Sequence, residues 1–359
     1  MQPIVSADQI TPEWLTAVLR QGGHLKQGAV TAVAPQGSQT DTAEGPGFHK
    51  RNRIDIRYSS DATRSAPTRL YLKAQDGALH KDAGEHEVAF YRSVAAQMPL
   101  PPTPICFDAT YNSESGAYHL LLEDVSETHQ TIHPEEPARS SDLDRMLAAL
   151  ATVHAFWWGR QQLGQRVGTL PTTEAIRTSF TQLENVFPAY VDYLGDRLSV
   201  ERRGVYERVL ERYPSVLTRR LAQLQTLTLV HNDAHTGNFL LPRHVREQRV
   251  FLIDWQQWGV DVGLHDVAYL IALSWYPERR ARMEHRAVRG YYEQLRQNGV
   301  AGYDWQACWD DYRMQVISNL LVPFWAWVFQ GAHWGYHRWH QLEKAMLAIQ
   351  DLHCEEYLA

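Results

Sequence analysis

Apolar and polar residues alternate along three runs between residues 28 and 75. AVTAVAPQG leads into a loop rich in small and polar residues, NRIDIRY and RLYLKAQ follow, and Asp76 and Gly77 end the third run. Alternation with a period of two is typical of half-buried strands, and hairpin-like connections favour antiparallel pairing. We therefore predict an antiparallel sheet in this part of the chain.

A helical periodicity begins at Asp82 and reaches about Ala96. Within AGEHEVAFYRSVAA, Val88 and Tyr91 share one face at helical spacing, and PLPPTP ends the run. AYHLLLEDV then has the composition of a buried strand that ends near Val125. The polar segment SETHQTIHPEEPARS follows it and is the predicted lobe boundary.

Beyond that segment the chain is predicted to be mainly helical. SDLDRMLAALATVHAFWWGR has Ser141 or Asp142 as a cap and carries one apolar stripe, formed by Leu143, Leu147, Leu150, His154 and Trp157. Further helices are expected from 174 to 224, interrupted near Pro188 and Pro214. Two strand-like runs, TLTLVH and RVFLIDW, flank a polar segment, and the last hundred residues look helical.

These elements predict an α+β protein with two lobes. Residues 1–125 form a small lobe with an antiparallel sheet and a helix, and residues 126–359 form a larger, mainly helical lobe. A chain of 359 residues with 44% hydrophobic residues can bury cores of this size. Its three cysteines lie far apart in the sequence, which favours reduced and buried thiols over a disulfide framework or a zinc site.

Composition and the N-terminus also bear on partners and location. A formal charge of −6 offers no basic surface for nucleic acid, so nucleic acid is not an expected partner. The first twenty residues lack the pattern of a signal peptide, and no run approaches the ~18 apolar residues of a membrane span. A cytoplasmic protein without a membrane partner is the simplest expectation, and the oligomeric state stays open.

The polar segment HNDAHTGN, with IDW after the next strand-like run, carries candidate chemistry. A hairpin of the flanking runs would bring Asp233, Asn238 and Asp254 near one another. Carboxylate and amide oxygens suit Mg²⁺, and an aspartate aimed at a hydroxyl can orient it and accept its proton. That is the equipment of phosphoryl transfer. The alternative is structural, because Asp, His and Asn also shape ordinary turns.

HNDAHTGN resembles the catalytic loop, HxDxxxxN, of the aminoglycoside phosphotransferase and choline kinase group of small-molecule kinases. IDWQ resembles the metal-binding segment of this group, and GLHDVAYL resembles the Gly-x-x-Asp-Leu-Ala stretch that follows it. The DWQ and EVAFY stretches look closest to the ecdysteroid-kinase-like branch. The resemblance implies a bilobal protein-kinase-like fold and covers most of residues 28 to 275.

Roles carry over from the resemblance to the matching positions. Asp233 would be the catalytic base, His231 would hold the loop, and Asp266 would brace it from the following helix. Asn238 and Asp254 would be the magnesium ligands. The resemblance therefore implies ATP and Mg²⁺ as cofactors.

The family also places a lysine on the third strand, held by a glutamate of the next helix, to bind the triphosphate. Lys73 in YLKAQ occupies that strand, and Glu87 is the matching helix position, with Glu85 as the rival. The alternative for Lys73 is a solvated residue on an edge strand. Backbone groups of Glu123 to Val125, in LLLEDV, would bracket the base, unless they are an ordinary strand end.

The expected phosphate loop, GSQTDTAEGPGF, departs from the GxGxxG pattern. Asp41 and Glu44 would repel phosphate, so a flexible loop and a nucleotide cover remain alternatives. The backbone amides of four residues are nevertheless predicted to approach the phosphates: Gly37, Ser38, Gln39 and Thr40. Two further departures are Asn232, where the family usually has glycine, and Trp255, where it has phenylalanine.

The predicted function is ATP- and magnesium-dependent phosphoryl transfer to a hydroxyl of a small molecule, in a cleft between the lobes. The acceptor would be an alcohol, a sterol-like compound, an amino alcohol or a sugar. An antibiotic-resistance enzyme is the first alternative, because a polycationic aminoglycoside needs carboxylates, and four lie near the C-terminus: Glu343, Asp351, Glu355 and Glu356. The second alternative is a non-catalytic nucleotide-binding protein. Against it, Asp233, Asn238 and Asp254 are all present.

Overall fold

The computed structural model describes residues 2–40, 50–77, 81–133, 136–244, 249–331 and 335–359. Its helices are α1 Pro12–Gln21, α2 Lys81–Ala89, α3 Ser140–Trp157, α4 Thr173–Leu194, α5 Val200–Leu221, α6 Leu264–Ala272, α7 Pro277–Gln297, α8 Trp305–Ser318, α9 Leu321–Gln330 and α10 Tyr336–Asp351. Its strands are β1 Val30–Thr40, β2 Lys50–Tyr58, β3 Arg69–Gln75, β4 Cys106–Tyr111, β5 Tyr118–Glu123, β6 His129–Gln130, β7 Thr228–Val230, β8 Phe239–Pro242, β9 Phe251–Leu252 and β10 Gly259–Asp261.

The chain forms two compact units. Unit 1 contains Met1–Gln130 and Pro242–Gln257, and unit 2 contains Thr131–Leu241 and Trp258–Ala359. The division into a nucleotide-binding lobe, residues 1–125, and a helical lobe with the catalytic loop, residues 126–359, stays a prediction. None of the described helices has the length and apolar composition needed to cross a membrane.

Unit 1 is built on an antiparallel sheet with the strand order β1-β2-β3-β5-β4. In the central strand β3 the alternation of side chains puts Leu70, Leu72 and Ala74 in one buried core and Lys73 on the opposite face. Helix α1 packs Leu15 and Leu19 into the same core. Its start is defined by a side-chain cap and a proline in the first turn, both of which favour helix initiation.

Unit 2 contains helices α3 to α10. The predicted stripe of α3 is confirmed, because its five members are all buried: Leu143, Leu147, Leu150, His154 and Trp157. The predicted cap is wrong, since the helix begins at Ser140 and has Arg139 at the cap position without a side-chain hydrogen bond. Ser141 and Asp142 instead lie in the first turn, where an acidic side chain favours the helix dipole.

The interruptions predicted at Pro188 and Pro214 are also wrong. Both prolines lie inside continuous helices, α4 and α5. A proline removes one backbone donor, but the buried faces of these helices continue on both sides of it and offset that loss. The chain turns instead at Gly195, whose φ of 58° lies in the left-handed region, and Ser199 caps the next helix.

A charged cluster lies buried where α7 meets α8 and α10. Arg280 is 0% exposed and donates to Glu284 at 2.8 Å, and it also contacts Asp351. Tyr312 donates to the second Glu284 oxygen at 3.1 Å. Because burying a charge is costly, the guanidinium depends on these partners.

We expect Glu284→Gln to lower the free energy of unfolding by about 3 kcal/mol, because it leaves Arg280 undercompensated in a buried site. Glu278→Gln is the matched control on the same helix, since the side chains of Glu278 and Arg282 are 86% and 69% exposed. It should change the free energy by less than about 0.5 kcal/mol. Urea denaturation of both variants measures the difference, and equal midpoints would contradict the assigned role of Glu284.

Candidate functional site

Lys73 lies on the central strand of the unit 1 sheet and is 5% exposed. Its ammonium donates to Glu87 Oε1 at 2.9 Å and to Asp254 Oδ1 at 2.6 Å. Glu87 is 1% exposed, whereas Glu85 points outward from the same helix. The side chain that contacts Lys73 is therefore that of Glu87, and the lysine is no solvated edge residue.

The charge of Lys73 is fixed by its two carboxylate partners. Burial by itself lowers the pKa of Lys73, but the carboxylates of Asp254 and Glu87 outweigh burial and raise this pKa well above its ordinary value. The side chain is therefore an ammonium throughout the physiological pH range. Such a cation, fixed in place before a ligand arrives, is suited to binding phosphate oxygens.

The segment that carries Asp254 is attached to helix α2 by aromatic stacking. Trp255 is 0% exposed and lies flat on Phe90, with ring centroids 3.9 Å apart and an interplanar angle of 8°. Its indole N–H donates to the carbonyl of Leu252 at 3.2 Å. Phe90 directly follows α2, which carries Glu87, so the stack helps to hold both carboxylates at one lysine.

The backbone at Asp254 is left-handed, with a φ of 67°. Few residues other than glycine adopt this conformation, and aspartate is among those that tolerate it. His86 Nδ1 lies 2.8 Å from the carbonyl of Gln256 and secures the chain just beyond the turn. The turn thus directs the Asp254 carboxylate to Lys73.

The other residues predicted to bind the nucleotide also lie in unit 1. The Glu123 N–H donates to the carbonyl of Ile105, and the Val125 carbonyl accepts from the N–H groups of Thr128 and His129. These bonds define a strand end and a turn, and the role of this segment in binding the base stays a prediction.

The phosphate loop is described only in part. The backbone of four predicted residues belongs to β1, opposite β2: Gly37, Ser38, Gln39 and Thr40. The rest of the predicted loop, residues 41–49 with Asp41 and Glu44, lies outside the described residues. The contribution of these amides to phosphate binding therefore stays a prediction.

In unit 2 the predicted catalytic loop follows β7 and is anchored by Asp266. The N–H of His231 donates to Asp266 Oδ2 at 2.7 Å, and the N–H of Asn232 donates to Oδ1 at 2.9 Å. His154 Nε2 lies 3.1 Å from Oδ2. Since an ionised carboxylate only accepts, this nitrogen carries the hydrogen, and Nδ1 accepts from the Tyr291 hydroxyl at 2.7 Å.

Asp266 is 0% exposed, and burial raises its pKa. The hydrogen bond from His154 acts in the opposite direction, and the resulting pKa lies below the ordinary value. Gly263 permits this packing, because a Cβ there would lie 2.7 Å from the Tyr291 hydroxyl oxygen and 2.9 Å from His154 Nδ1. The GLHD stretch therefore requires a glycine at this position, because the side chains of Tyr291 and His154 approach its backbone closely.

The conformation of Asn232 shows how the loop forms without the glycine that the family usually has at this position. Its φ is 65°, and asparagine is one of the few non-glycine residues that tolerate the left-handed region. Its side chain lies against Gly259, where a Cβ would come within 2.8 Å of Asn232 Nδ2. Gly259 starts β10, which pairs with β7 immediately before the loop.

That pairing corrects one expectation. A hairpin of the runs TLTLVH and RVFLIDW was the condition under which the three polar residues would lie near one another, but the antiparallel partner of β7 is β10. The strand in RVFLIDW, β9, belongs to unit 1 together with Asp254. Its two residues are buried, so hydrophobicity identified a strand but could not identify its partner.

Asp233 and Asn238 lie together in unit 2. The Asn238 amide nitrogen donates to the Asp233 backbone carbonyl at 2.8 Å and to Oδ2 at 3.2 Å. Tyr269 donates to Asp233 Oδ1 at 3.1 Å. The ring of His235 accepts from the Gly237 N–H at 3.1 Å, so His235 does shape a turn, as the structural alternative proposed.

One oxygen of the loop in unit 2 has the chemistry of a magnesium ligand. Because the amide nitrogen of Asn238 is directed at Asp233, its carbonyl oxygen is left as the atom to face a cation. In unit 1, taken by itself, Asp254 carries a carboxylate, which is also a group that Mg²⁺ binds. Within the part of the chain that the structure describes, no group of three or more His, Cys, Asp or Glu side chains forms a ready-made metal site. Mg²⁺ in proteins commonly takes one or two such oxygens and completes its shell with water and phosphate, and the roles of Asn238 and Asp254 as its ligands stay predictions.

The predicted residues thus fall into two clusters. Unit 1 brings together Lys73, Glu87 and Asp254, and unit 2 brings together Asp233 and Asn238 on the loop that begins at His231. Sequence reasoning missed Tyr269 and assigned His154 only to a core stripe. Spacing contained a signal for Tyr269, which lies three residues after Asp266 on a helix and therefore shares its face.

Comparison with known proteins assigns the chain to a family. The sequence model described as "Phosphotransferase enzyme family" matches residues 56–306, which is more than half of the chain. The chain belongs to this phosphotransferase family. No curated protein sequence matches it significantly.

Solved structures share the fold of this family member. A protein from Ralstonia eutropha JMP134, assigned as an aminoglycoside phosphotransferase, is 15% identical with a TM-score of 0.54, and the match covers 97% of this chain and 98% of that one. Choline kinase from Cryptosporidium parvum Iowa II is 11% identical with a TM-score of 0.54 and the same coverages. Ethanolamine kinase from Plasmodium vivax is 12% identical with a TM-score of 0.52, covering 91% and 83%.

These findings confirm the predicted group and the two-part kinase-like fold class, and the family match shows the enzyme class, a phosphotransferase. The ecdysteroid-kinase-like branch stays a prediction. The roles of the individual site residues are predictions as well.

Asp266→Asn should destabilise this phosphotransferase by about 3 kcal/mol at neutral pH, because an amide cannot accept from all three donors. The folded pKa of Asp266 lies below the unfolded value. Its stabilisation is therefore present above about pH 4 and is lost as the pH falls through the folded pKa. Urea unfolding from neutral to acidic pH should show the difference from the native chain shrinking below about pH 4. The exposed-site variant Asp196→Asn should keep the native profile, and a constant difference for Asp266→Asn would contradict the assignment.

Asn232→Val should cost about 1–3 kcal/mol, because a β-branched residue is strained at positive φ. Asn232→Gly meets the same backbone requirement and should stay within about 1 kcal/mol of the native chain. Thermal unfolding of the two variants makes the comparison. If valine is tolerated as well as glycine, backbone conformation is not what selects the residue here.

Proposed function

We propose that this protein transfers the γ-phosphoryl group of ATP to a hydroxyl of a small molecule in a magnesium-dependent reaction. The observation that carries the proposal is the buried ammonium of Lys73, held by the carboxylates of Glu87 and Asp254 in a member of the phosphotransferase family. An apolar side chain could fill the same space at a lower energetic cost, so packing alone does not explain a buried ammonium at this position.

Phosphoryl transfer depends mainly on positioning and on charge neutralisation. Lys73 would bind phosphate oxygens, and backbone amides of Gly37 to Thr40 would add donors. Asp254 and Asn238 would hold Mg²⁺, which supplies further neutralisation of the phosphate charge. Backbone groups of Glu123 to Val125 would bracket the base.

Asp233 would orient the acceptor hydroxyl and accept its proton, while His231 secures the start of the loop. The Asp233 carboxylate is 32% exposed and accepts one hydrogen bond on each oxygen from Tyr269 and Asn238. A carboxylate has about four lone-pair positions, so each oxygen retains one. The group is thus held in orientation while it stays able to accept a proton from an alcohol.

The charges near the C-terminus favour a small alcohol, amino alcohol, sterol-like compound or sugar over an aminoglycoside. Each of the four carboxylates that suggested a polycation site pairs with an arginine within unit 2: Glu343 with Arg202, Asp351 with Arg280, Glu355 with Arg208 and Glu356 with Arg313. A polycation would have to displace these partners, which makes the acidic cluster a poor aminoglycoside site.

The proposal is tested by incubating the purified chain with ATP, Mg²⁺ and choline, ethanolamine, a neutral hexose or an aminoglycoside. Release of ADP and a phosphorus NMR signal of the phosphorylated acceptor report transfer. We expect transfer to a non-aminoglycoside acceptor, and loss of turnover by about 10²–10⁴-fold in Asp233→Asn, because the base is removed. Nucleotide binding should be retained.

Asp192→Asn, an exposed change on α4, is the matched control and should keep full turnover. Equal turnover in Asp233→Asn and Asp192→Asn would refute the role of Asp233. Binding of ATP without any phosphorylated product, across all four acceptors, would favour the non-catalytic alternative.

A further inference from the structure

Helix α6 directs two polar side chains at the loop that carries Asp233. Asp266 in its first turn accepts the N–H groups of His231 and Asn232. Tyr269, three residues later, lies on the same helix face and donates its hydroxyl to Asp233 Oδ1 at 3.1 Å. One short helix therefore fixes the loop backbone and also contacts the carboxylate.

The carboxylate of Asp233 is held from both sides. Asn238 donates to Oδ2 at 3.2 Å, and Tyr269 donates to Oδ1. One donor would leave the carboxylate able to rotate about its Cβ–Cγ bond, because that torsion is broad. Two donors on different oxygens define its plane, and they leave one lone pair on each oxygen.

Tyr269 is suited to be a permanent donor. It is 9% exposed, and burial raises its pKa well above the ordinary value of a phenol. The negative charge of Asp233 raises this pKa further, while Arg338 acts in the opposite direction. The phenol therefore stays protonated at neutral pH, where it donates to the carboxylate.

We propose that Tyr269 is a positioning residue that holds the Asp233 carboxylate in the orientation needed to accept the proton of the acceptor hydroxyl. This inference rests on the proposed function. Tyr269 itself does not contact the substrate in this proposal. A side chain that acts through the base should change the rate of the reaction and leave substrate binding unaltered.

The test compares two buried tyrosines of unit 2 that each lose one hydroxyl. Tyr213 is 1% exposed, and its hydroxyl donates to the carbonyl of Met314 at 3.1 Å, so Tyr213→Phe also removes a buried hydrogen bond. We expect Tyr269→Phe to lower kcat by about 10- to 100-fold, the range of a hydrogen bond to a charged group. The KM for ATP should stay unchanged. Tyr213→Phe should keep the native kcat.

Turnover is measured as the release of ADP in the presence of ATP and Mg²⁺. One assay has water as the acceptor, and a second assay has ethanolamine added. Asp233→Asn is run in parallel. If Asp233→Asn is inactive and Tyr269→Phe has the kcat of Tyr213→Phe, the inference is wrong while the proposed function stands. If Asp233→Asn keeps full turnover, the proposed function and the inference both fail.

A crystal structure of Tyr269→Phe supplies a second readout that does not depend on the acceptor. We expect the Asp233 carboxylate to adopt a new or a second orientation, while the backbone of the loop remains fixed by Asp266. A single, unchanged orientation of Asp233 in the variant would overturn the proposal.

Discussion

The loop that is predicted to be catalytic depends on one buried carboxylate. Asp266 has no exposure to solvent, so its charge must be compensated entirely by protein groups. Two consecutive backbone N–H groups and the ring of His154 supply that compensation. Two adjacent N–H groups can point at one carboxylate only if the chain turns sharply between them, which accounts for the left-handed backbone at Asn232. The residue after that turn is Asp233.

The same principle organises unit 1 around a buried cation. Lys73 contacts two carboxylates from different parts of the sequence: Glu87 lies in α2, the helix that follows β3, and Asp254 lies in a turn with positive φ. In both units a residue with positive φ directly precedes or bears the carboxylate that is predicted to be functional: Asn232 precedes Asp233, and Asp254 has this conformation itself. Backbone strain of this kind persists only where surrounding contacts determine it, and here hydrogen bonds and the stack of Trp255 on Phe90 do so.

Buried charge alone does not identify a functional site in this fold. Arg280 is as deeply buried as Lys73 and is also held by carboxylates. It links two helices, however: its hydrogen-bonding partners are Glu284 of its own helix, α7, and Asp351 and the Leu347 carbonyl of α10. The difference lies in the backbone of the partners: Asp254, which contacts Lys73, has a positive φ, whereas Glu284 and Asp351 belong to helices α7 and α10.

Local periodicity was sufficient for much of the fold. It identified β3 with Lys73 and the buried stripe of α3, because a period of 2 or 3.6 depends only on residues near in sequence. It failed where tertiary packing overrides a local preference, as at Pro188 and Pro214 inside long helices. It also failed where a strand partner is distant, as for β7 and β10. Helix α1 was overlooked although Thr11 and Pro12 carry a start signal.

For the candidate site, sequence motifs indicated the residue types but not their contacts. The choice between Glu85 and Glu87 required the burial of the helix face, and the hydrogen bond from Tyr269 to Asp233 joins residues 36 positions apart. No spacing rule within one element describes that contact, because it depends on how α6 packs beside the loop. Because Asp266 and Tyr269 share one face of α6, the sequence predicts only that both side chains point toward the same neighbouring segment.

The two departures from the family pattern show what the motif constrains. Asn232 replaces glycine and keeps a φ of 65°, so the requirement is a left-handed backbone, which asparagine meets at modest cost. Trp255 replaces phenylalanine and remains a buried aromatic stacked on Phe90. A larger ring is accommodated because its N–H finds the Leu252 carbonyl, since a buried donor without a partner would be costly. The motif therefore specifies a conformation and a packed surface, and residues that satisfy both can stand in for those of its usual sequence.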